Sequence, residues 1–371
     1  LRDLEGPPSA VQLKSRPIRG GARVIEVDGS HGEGGGQIYR MALAIAALKG
    51  EEVRITNIRA GRPKPGLSRQ HMTAAKAIAS MTDGRVKGLR LGSPEVIFRP
   101  GPLKGGSISL DVGTAGSVTL VLQACLLPAI LAGAPTEFRI RGGTDVKWSP
   151  PADYFIHVFL PQLRRMGIHA EMSILKRGYY PRGGGLVEMR VEPCPSIRAL
   201  RLLSLGEIRS IGGKAHVSNL PEHIAQRMRR SAMRQLVDYR NVDIHQELYG
   251  ESEAVGAGGA IALWAEYDST TIGSSALAEK GVRAEDLGRR AAEELLADLK
   301  AGATLDVHAA DQLLPYMAMA QDASSFTVRE VSGHTRTLFW LLSKFLAVDI
   351  REERADGIDR IEVRPGATLK V

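Results

Sequence analysis

The stretch RVIEVDGSHGEGGGQ, residues 23–37, carries the pattern from which the rest of the chain can be interpreted. Its first five residues are typical of a β-strand, and a cluster of glycines follows them. From residue 37 to residue 48 apolar side chains recur at helical spacing, with Ile38, Met41 and Ile45 on one face. The sequence therefore predicts a strand that leads through a glycine-rich turn into a helix.

This strand, turn and helix begin a longer unit. A second strand, a second helix and two further strands are predicted after them, at residues 53–58, 68–81, 86–91 and 96–99. The order of the unit is therefore β-α-β-α-β-β. A single unit leaves one face of its sheet uncovered, so we expect several units to pack together.

The same order returns twice along the chain. The second copy is predicted at residues 108–112 (strand), 117–132 (helix), 137–141 (strand), 153–166 (helix), and 169–175 and 186–191 (strands). The third copy is predicted near residues 199–205 (strand), 311–320 (helix), 325–331 (strand), 335–346 (helix), and 348–352 and 360–363 (strands). Three β-α-β-α-β-β repeats predict one large domain.

Between residues 206 and 304 this rhythm breaks. Strands are predicted at 213–217, 242–248 and 260–267, and helices at 221–237 and 284–300. We interpret the segment as a smaller α/β domain inserted into the third repeat. The predicted fold class is α/β, of the α+β kind. Its parts are an N-terminal leader (1–22), the first two repeats with the start of the third (23–205), the inserted domain (206–304) and the rest of the third repeat (305–371).

The composition limits the kind of protein. Hydrophobic residues make up 43% and charged residues 24% of the 371, which is ordinary for a soluble globular protein and excludes wholesale disorder. The 49 Lys and Arg exceed the 41 Asp and Glu, and the net charge of +8 favours acidic partners such as nucleic acid or nucleotides. Only Cys125 and Cys194 are present, which excludes a disulfide framework and fits a reducing cytosol.

No targeting or membrane-spanning segment is predicted. The N-terminus mixes Arg2, Asp3 and Glu5 with prolines, and no apolar stretch follows, unlike a signal peptide. The longest apolar run, about residues 118–134, contains Gln123 and is short for a bilayer, so we interpret it as a buried helix. We expect a cytoplasmic protein with no membrane partner, and a homo-oligomer is compatible with the sequence.

The glycine cluster at residues 28–37 is typical of a site where backbone amides approach an anion at the start of a helix. Gly32 and Gly34 begin like a dinucleotide fingerprint, but Gln37 stands where the third glycine belongs. Glu33 would repel a phosphate unless a cation lay between them, which favours a divalent metal, Mg or Mn. A flexible turn with a helix-capping acid explains this spacing equally well.

A second candidate is the loop at residues 59–71, which follows a strand and leads into a helix. It contains two prolines and four cations, namely Arg59, Arg62, Lys64 and Arg69. Arginine binds phosphate with two parallel hydrogen bonds, and proline lowers the cost of ordering the loop. A solvated charged loop is the alternative. We favour phosphate binding, because the loop lies on the same side of the repeat as the glycine cluster.

The second repeat has counterparts of both loops. Residues 113–117 form its glycine turn, and Gln123 follows inside an apolar helix, where an amide must find either a partner in the core or a ligand. Residues 142–153 form its second loop, in which Pro150 could present a flat surface to a base. The alternative for that loop is a structural turn with Asp153 as the helix cap.

His334 stands out from the other histidines by its position. It lies in the first turn of a predicted helix, directly after a strand. The positive end of the helix dipole favours the neutral imidazole, which is the nucleophilic form, and Arg336 would add to this effect. Residues 308–312 lie just before the predicted first helix of the third repeat. Asp311 in this segment could cap that helix, or it could orient a base or a metal.

These segments, taken in order, are similar to the RNA 3′-terminal phosphate cyclase family. The matching pieces are residues 32–37 with Arg40, 58–70, 116–123, 142–145, 310–313 and His334. The resemblance covers about residue 23 to the end. It implies three β-α-β-α-β-β units, a fold related to that of the enolpyruvyl transferases, and a small inserted α/β domain.

The resemblance also implies an activity. The family uses ATP to convert the 3′-terminal phosphate of RNA into a 2′,3′-cyclic phosphate, through a covalent histidine–AMP intermediate and an RNA carrying AMP on that phosphate. In this chain the attacking histidine corresponds to His334, and Glu33 corresponds to an acid that contacts the metal. Positions near the RNA or nucleotide phosphates correspond to Arg40, Arg59, Arg62 and Gln70. ATP-binding positions correspond to Gln123, Pro150, His308, Ala309, Ala310, Asp311 and Gln312, of which Pro150 and His308 would enclose the adenine.

Two other functions compete with this one. A non-catalytic branch of the family serves ribosome assembly and lacks the nucleophilic histidine, so His334 and the basic loop favour the enzyme. A small-molecule transferase related only through the fold would form no covalent adenylate. The expected partners are therefore ATP, a divalent metal and RNA with a 3′-phosphate end. The sequence assigns no role to the inserted domain.

Overall fold

The computed structural model describes residues 24–366, and the predicted leader at 1–22 lies outside them. Within this range several mixed sheets alternate with helices, which confirms the predicted α/β fold class. The division of the chain at residues 206 and 304 stays a prediction.

The first repeat has the predicted order of elements. They are β1 (Val24–Asp28), α1 (Gly36–Lys49), β2 (Glu52–Thr56), α2 (Arg69–Thr82), β3 (Arg85–Lys87) and β4 (Val96–Arg99). β1 lies parallel to β2, while β2 and β3 both pair antiparallel with β4. Because β1 and β2 end together, the glycine cluster and the basic loop that follow them lie at the same edge of the sheet.

The second repeat has the same strand arrangement. Its elements are β5 (Gly106–Asp111), α3 (Val118–Ile130), β6 (Thr136–Gly142), α4 (Ala152–Tyr154), a π-helical turn (Phe155–Phe159), α5 (Leu160–Arg165), β7 (Ala170–Gly178) and β8 (Gly185–Val191). The π turn comes directly before Pro161, which has no N–H to donate to the regular helical ladder. β5 and β6 are parallel, so their following loops again share one edge.

The segment between the second and third repeats forms a sheet of its own. Its elements are β9 (Ile208–Ser218), α6 (Glu222–Gln235), β10 (Val242–Tyr249), β11 (Ala254–Val255), β12 (Gly258–Tyr267), β13 (Thr271–Leu277) and α7 (Ala284–Ala301). The strand order is β10-β9-β12-β13, and α6 and α7 pack together over it around a separate hydrophobic core. The sequence predictions missed β13 and β11, the latter a short strand that pairs with β7 of the second repeat.

The third repeat is completed by α8 (Val307–Met317), β14 (Ser324–Val328), α9 (Gly333–Phe345), β15 (Val348–Ala355) and β16 (Ile358–Pro365). Its predicted opening strand is reduced to a parallel bridge between Arg201 and Ser325. α8 begins four residues before the predicted position, because Asp306 accepts hydrogen bonds from the backbone N–H groups of His308 and Ala309 and so caps the helix there.

Helices fill the centre of the large core. α1 packs against α2, α3 and α9, and α8 packs against α9. α3 corresponds to the longest apolar run, and nearly all of its side chains are buried, as predicted. No helix within residues 24–366 is long and apolar enough to cross a membrane. The central position of the helices brings the first turns of α1, α8 and α9 towards one another, and this is what builds the site.

Candidate active site

Loops from all three repeats contact one another where the parallel strands end. Gln37 at the start of α1 donates a hydrogen bond from Nε2 to Asp311 Oδ2 on α8, at 2.5 Å. Gln70 Oε1 on α2 accepts a hydrogen bond of 2.9 Å from the backbone N–H of Ser117, which precedes α3. The predicted site segments of the three repeats therefore lie side by side.

His334 is the second residue of α9 and is exposed to solvent. Ser332 caps this helix, since its hydroxyl accepts a 3.1 Å hydrogen bond from the N–H of Thr335. Partial desolvation of the ring lowers the pKa of His334 below its usual value of 6.5; Glu33 opposes this, and the positive charges of Arg62 and Arg40 add to it. The neutral imidazole is therefore the favoured form at neutral pH.

Glu33 lies directly beside the start of α9. Its backbone N–H donates to Thr337 Oγ1 at 3.1 Å, and a side chain at Gly333 would displace its carboxylate from the present position. Arg62 contacts the same residue, with Nη2 3.0 Å from the carbonyl oxygen and 3.7 Å from Oε2. No side chain caps α1, whose N-cap is Gly35, so Glu33 does not act as a helix-capping acid.

Glu33 alone fits a metal that arrives with a nucleotide. Mg²⁺ commonly keeps several waters and binds proteins through one or two carboxylates together with substrate phosphates. A half-exposed carboxylate at the edge of a glycine loop suits that mode of binding. Within residues 24–366 the one group of three close ligand side chains lies elsewhere, at Asp145, Asp153 and His216, and Arg177 already forms ion pairs with both of its carboxylates. That group is therefore not a metal centre.

Arg40 is the most unusual cation of the site. It is buried beneath the glycine cluster, and an added Cβ on Gly36 would lie 2.8 Å from its Nη1. No carboxylate of residues 24–366 lies within 4.0 Å of its guanidinium, and its Nε has no hydrogen-bond partner there. Burial lowers the pKa of Arg40 to about 10, so it stays charged at neutral pH. A buried cation without a partner is costly unless an anion reaches it.

The other two predicted phosphate-binding residues are held by their own surroundings. Arg59 Nη1 donates a 2.8 Å hydrogen bond to the carbonyl oxygen of Gly66, which closes the basic loop on itself. Gln70 uses its Oε1 on Ser117 and so links the basic loop to the glycine turn of the second repeat.

Asp311 shares the buried region with Arg40. Burial raises the pKa of Asp311 to about 7, the charge of Asp306 adds to the rise, and the Gln37 hydrogen bond and Arg40 oppose it. The carboxyl therefore titrates near neutral pH. Gln312 follows it on α8, and its Oε1 is buried with no partner among residues 24–366.

The predicted adenine-binding residues lie on the loop before α4 and in the first turn of α8. Thr119 donates to the carbonyl oxygen of Pro150 at 2.8 Å, which fixes the proline next to α3. His308 is exposed, and its ring centroid lies 6.5 Å from that of Tyr154 in an edge-on arrangement. Gln123 is half-buried and makes no hydrogen bond to residues 24–366, so its amide is not satisfied in the core.

Ala309 and Ala310 differ from these residues. Both methyl groups are buried, and their backbone N–H groups donate to Asp306 Oδ1 and to the Asp306 carbonyl oxygen. They hold the first turn of α8 in position. Asp153 does not cap α4 as the alternative interpretation proposed, because its carboxylate pairs with Arg177.

Sequence reasoning missed three residues that organise the site. Gln37 orients Asp311, and Asp306 caps α8. His71 is buried with Nδ1 accepting a 3.2 Å hydrogen bond from Ser68 N–H. Burial, with Arg40 and Arg59 nearby, lowers the pKa of His71 well below 6.5, so it is neutral. Gln37 and His71 were inside the quoted segments, but only their long-range partners reveal what they do.

Comparison with known proteins gives one consistent family. The family model of RNA 3′-terminal phosphate cyclase matches residues 31–351. The protein of that name from Nitrosospira multiformis is 46% identical over 340 residues, which cover 92% of this chain and 96% of the relative. The protein of the same name from Methanopyrus kandleri is 47% identical over 348 residues, which cover 92% of this chain and 99% of the relative. The one from Pyrococcus furiosus is 44% identical over 323 residues, which cover 87% of this chain and 93% of the relative.

One solved structure with partial similarity is the enolpyruvyl transferase NikO from Streptomyces tendae. The similar region covers 46% of this chain and 33% of the NikO chain, at 21% sequence identity and a TM-score of 0.25. Values this low support no conclusion about the present protein.

Proposed function

The chain belongs to the RNA 3′-terminal phosphate cyclase family, and we propose that this enzyme uses ATP to close the 3′-terminal phosphate of RNA into a 2′,3′-cyclic phosphate. The observation that carries the proposal is the surroundings of His334. An accessible imidazole that favours its neutral form stands at the start of α9, within the electrostatic reach of two arginines. This arrangement suits a nucleophile that attacks a polyphosphate.

The first step would be the attack of a neutral ring nitrogen of His334 on the α-phosphorus of ATP. A nitrogen–phosphorus bond forms, the bond from the α-phosphorus to the bridging oxygen breaks, and pyrophosphate leaves with that oxygen. The product carries AMP on His334. Arg40 would stabilise the charge that develops on the phosphate oxygens.

The next two steps would transfer and release AMP. An oxygen of the RNA 3′-phosphate attacks the phosphorus of the adduct, and the bond to His334 breaks. The adjacent 2′-hydroxyl then attacks the 3′-phosphorus, loses its proton, and expels AMP to leave the cyclic end. Activation is needed because a phosphate dianion has no good leaving group, whereas AMP is one.

The remaining site residues would bind and orient. Pro150 and His308 would enclose the adenine, and Gln123, Asp311 and Gln312 offer polar groups around the nucleotide. Glu33 would hold a divalent metal, which neutralises phosphate charge when bound. Arg59, Arg62 and Gln70 would position the RNA end, and Arg40 would meet a phosphate from below the glycine cluster.

His334 also favours the cyclase over the two competing functions. A non-catalytic scaffold needs no accessible, neutral histidine among cations, and a small-molecule transferase would carry no AMP on the protein. We also propose that the protein is cytoplasmic, because Cys125 and Cys194 are both free and buried, as suits a reducing compartment.

The test is incubation of the purified protein with α-labelled ATP and Mg²⁺ or Mn²⁺, followed by denaturing electrophoresis. Label should remain on the wild-type protein and be absent from His334→Ala. Addition of RNA with a 3′-phosphate should remove the label and give a cyclic end. Folded wild-type protein that acquires no label would contradict the proposal.

A further inference from the structure

The loop between β7 and β8 is placed beside the candidate active site but has no part in the function proposed above. It has the sequence YYPRGGG at residues 179–185, and we call it the tyrosine–glycine loop. Gly183 has φ +66° and lies on the glycine turn of the second repeat, where an added Cβ would be 2.7 Å from the Cα of Ala115. Only glycine allows this contact, so the loop is seated firmly on residues 113–117.

The two tyrosines of this loop have opposite environments. Tyr179 is buried, and its hydroxyl lies 2.7 Å from Ser218 Oγ and 3.1 Å from His216 Nδ1. Tyr180 follows it with 79% of its surface exposed. The loop is thus anchored at its base while it presents an aromatic ring to solvent. An exposed ring on a rigid support is typical of a stacking platform for a nucleobase.

Two cations of this surface have no acidic partner among residues 24–366. No carboxylate there lies within 4.0 Å of Arg182, which is part of the loop, or of Arg69, whose Nη1 lies 3.5 Å from where a Cβ of Gly113 would be. Elsewhere on the same sheet Arg139 and Arg190 are neutralised by glutamates. The surface beside the tyrosine–glycine loop therefore keeps a local excess of positive charge, which suits a polyanion.

This surface is continuous with the residues assigned to the RNA end. Ser117 N–H donates to Gln70 Oε1, Arg69 Nη1 lies 3.5 Å from where a Cβ of Gly113 would be, and Gly183 contacts the same glycine turn. A strand whose terminal phosphate lay at Gln70 would meet Arg69, the glycine turn and then the tyrosine–glycine loop.

We propose that the tyrosine–glycine loop binds RNA nucleotides upstream of the last two before the 3′-terminal phosphate, with Tyr180 stacked on a base and Arg182 and Arg69 on backbone phosphates. This inference rests on the proposed function and adds to it the surface that holds the body of the substrate. Stacking and backbone contacts do not read a sequence, so the enzyme would accept many RNA ends.

The test compares two RNAs that both end in a 3′-phosphate, one of about twelve nucleotides and one dinucleotide. Their affinities are measured by fluorescence anisotropy and competition. Tyr180→Ala should weaken binding of the long RNA about tenfold, and Tyr180→Phe should preserve it, because phenylalanine still stacks. Arg182→Gln should weaken it about fivefold and reduce the slope of log K against log salt by about 0.7. All three variants should bind the dinucleotide with the affinity of the wild-type protein.

The matched control is Arg85→Gln on β3, which removes an exposed arginine that also has no carboxylate within 4.0 Å among residues 24–366. It should change neither affinity. Circular dichroism and thermal unfolding of every preparation show that the protein is folded, and the AMP adduct is measured separately.

Three outcomes are decisive. Wild-type affinity of Tyr180→Ala and Arg182→Gln for the long RNA would overturn the inference, as expected if the loop instead contacts a protein. Equal weakening for both RNAs would overturn it too, because the loop would then serve the terminal phosphate. If the wild-type protein forms no AMP adduct, but Tyr180→Ala and Arg182→Gln still weaken binding of the long RNA, the proposed function is rejected and this surface remains supported.

Discussion

Two clusters in this protein are built from the same kinds of side chain and differ in what surrounds them. In the first, Arg177 lies 3.2 Å from Asp145 and 2.9 Å from Asp153, with His216 3.1 Å away and all four residues buried. In the second, His334 and Glu33 are accessible, and no carboxylate of residues 24–366 lies within 4.0 Å of the buried Arg40. We call these the Arg177 cluster and the His334 cluster.

The difference lies in how each cluster satisfies its charges. In the Arg177 cluster burial would raise the pKa of Asp145, but Arg177 and His216 hold it well below its usual value, so the carboxylate and guanidinium neutralise each other. In the His334 cluster Glu33 lies 3.7 Å from Arg62, no carboxylate of residues 24–366 lies within 4.0 Å of Arg40, and the cluster opens to solvent. A self-neutralised cluster joins parts of the fold, here β7 to β9, whereas an incomplete one needs an anion from outside.

The largest expected effect is on the His334 cluster. His334→Ala should reduce formation of the AMP adduct about 10³-fold or more, because it removes the nucleophile, and should leave the melting temperature nearly unchanged. Single-turnover labelling and thermal unfolding measure the two quantities. A variant that is labelled at the wild-type rate would contradict the comparison, since the cluster would then not be the reactive one.

The Arg177 cluster should respond in the opposite way. Arg177→Ala leaves two buried carboxylates without their main partner and should lower the free energy of unfolding by about 3–5 kcal/mol. The control is Arg190→Ala, an exposed arginine with two glutamate partners, which should lower the free energy of unfolding far less, because solvent screens exposed ion pairs. Denaturant unfolding measures both. Equal, small losses would show that the buried cluster is not structural.

A smaller effect should separate the steps of the reaction. Arg62→Ala or Arg59→Ala should slow transfer of AMP to the RNA end by about 10²-fold, while the AMP adduct forms with less loss, because the two arginines position the terminal phosphate. Rapid-quench measurements of the two steps test this. Equal losses in both steps would assign these arginines to ATP instead.

The smallest effect is on pH dependence. The pKa of His334 lies below 6.5, and only its neutral form attacks, so protonation of this ring should slow adduct formation only below pH 6.5. Arg62→Ala removes a charge that lowers this pKa, so the acidic fall of the rate should move to higher pH in this variant. Single-turnover rates of wild type and variant between mildly acidic and neutral pH measure the shift. An acidic fall in Arg62→Ala at the wild-type pH, or at lower pH, would refute the assignment.

The sequence predicted most elements because the buried face of each strand or helix produces a periodic pattern of apolar residues within that segment. β6 alternates buried and exposed residues, and α1 repeats apolar residues at helical spacing, so both were expected within two residues of their bounds. The start of α8 was misplaced because the cap at Asp306 depends on tertiary contacts as well as on its own helix. Its Oδ1 accepts from Tyr154, and its Oδ2 accepts from the N–H of Gly273.

The amino-acid sequence by itself determined the repeat, the glycine and basic loops, and the position of His334 at a helix start. These features depend on residues that are close to one another in the sequence. The tertiary structure decided which of these groups meet. Gln37 and Asp311 are 274 positions apart, Glu33 and Thr337 are 304 apart, and Arg40 is buried, with no carboxylate of residues 24–366 within 4.0 Å, because helices of the repeats pack over it. Contacts of that range leave no periodic signal, since packing between distant elements creates them.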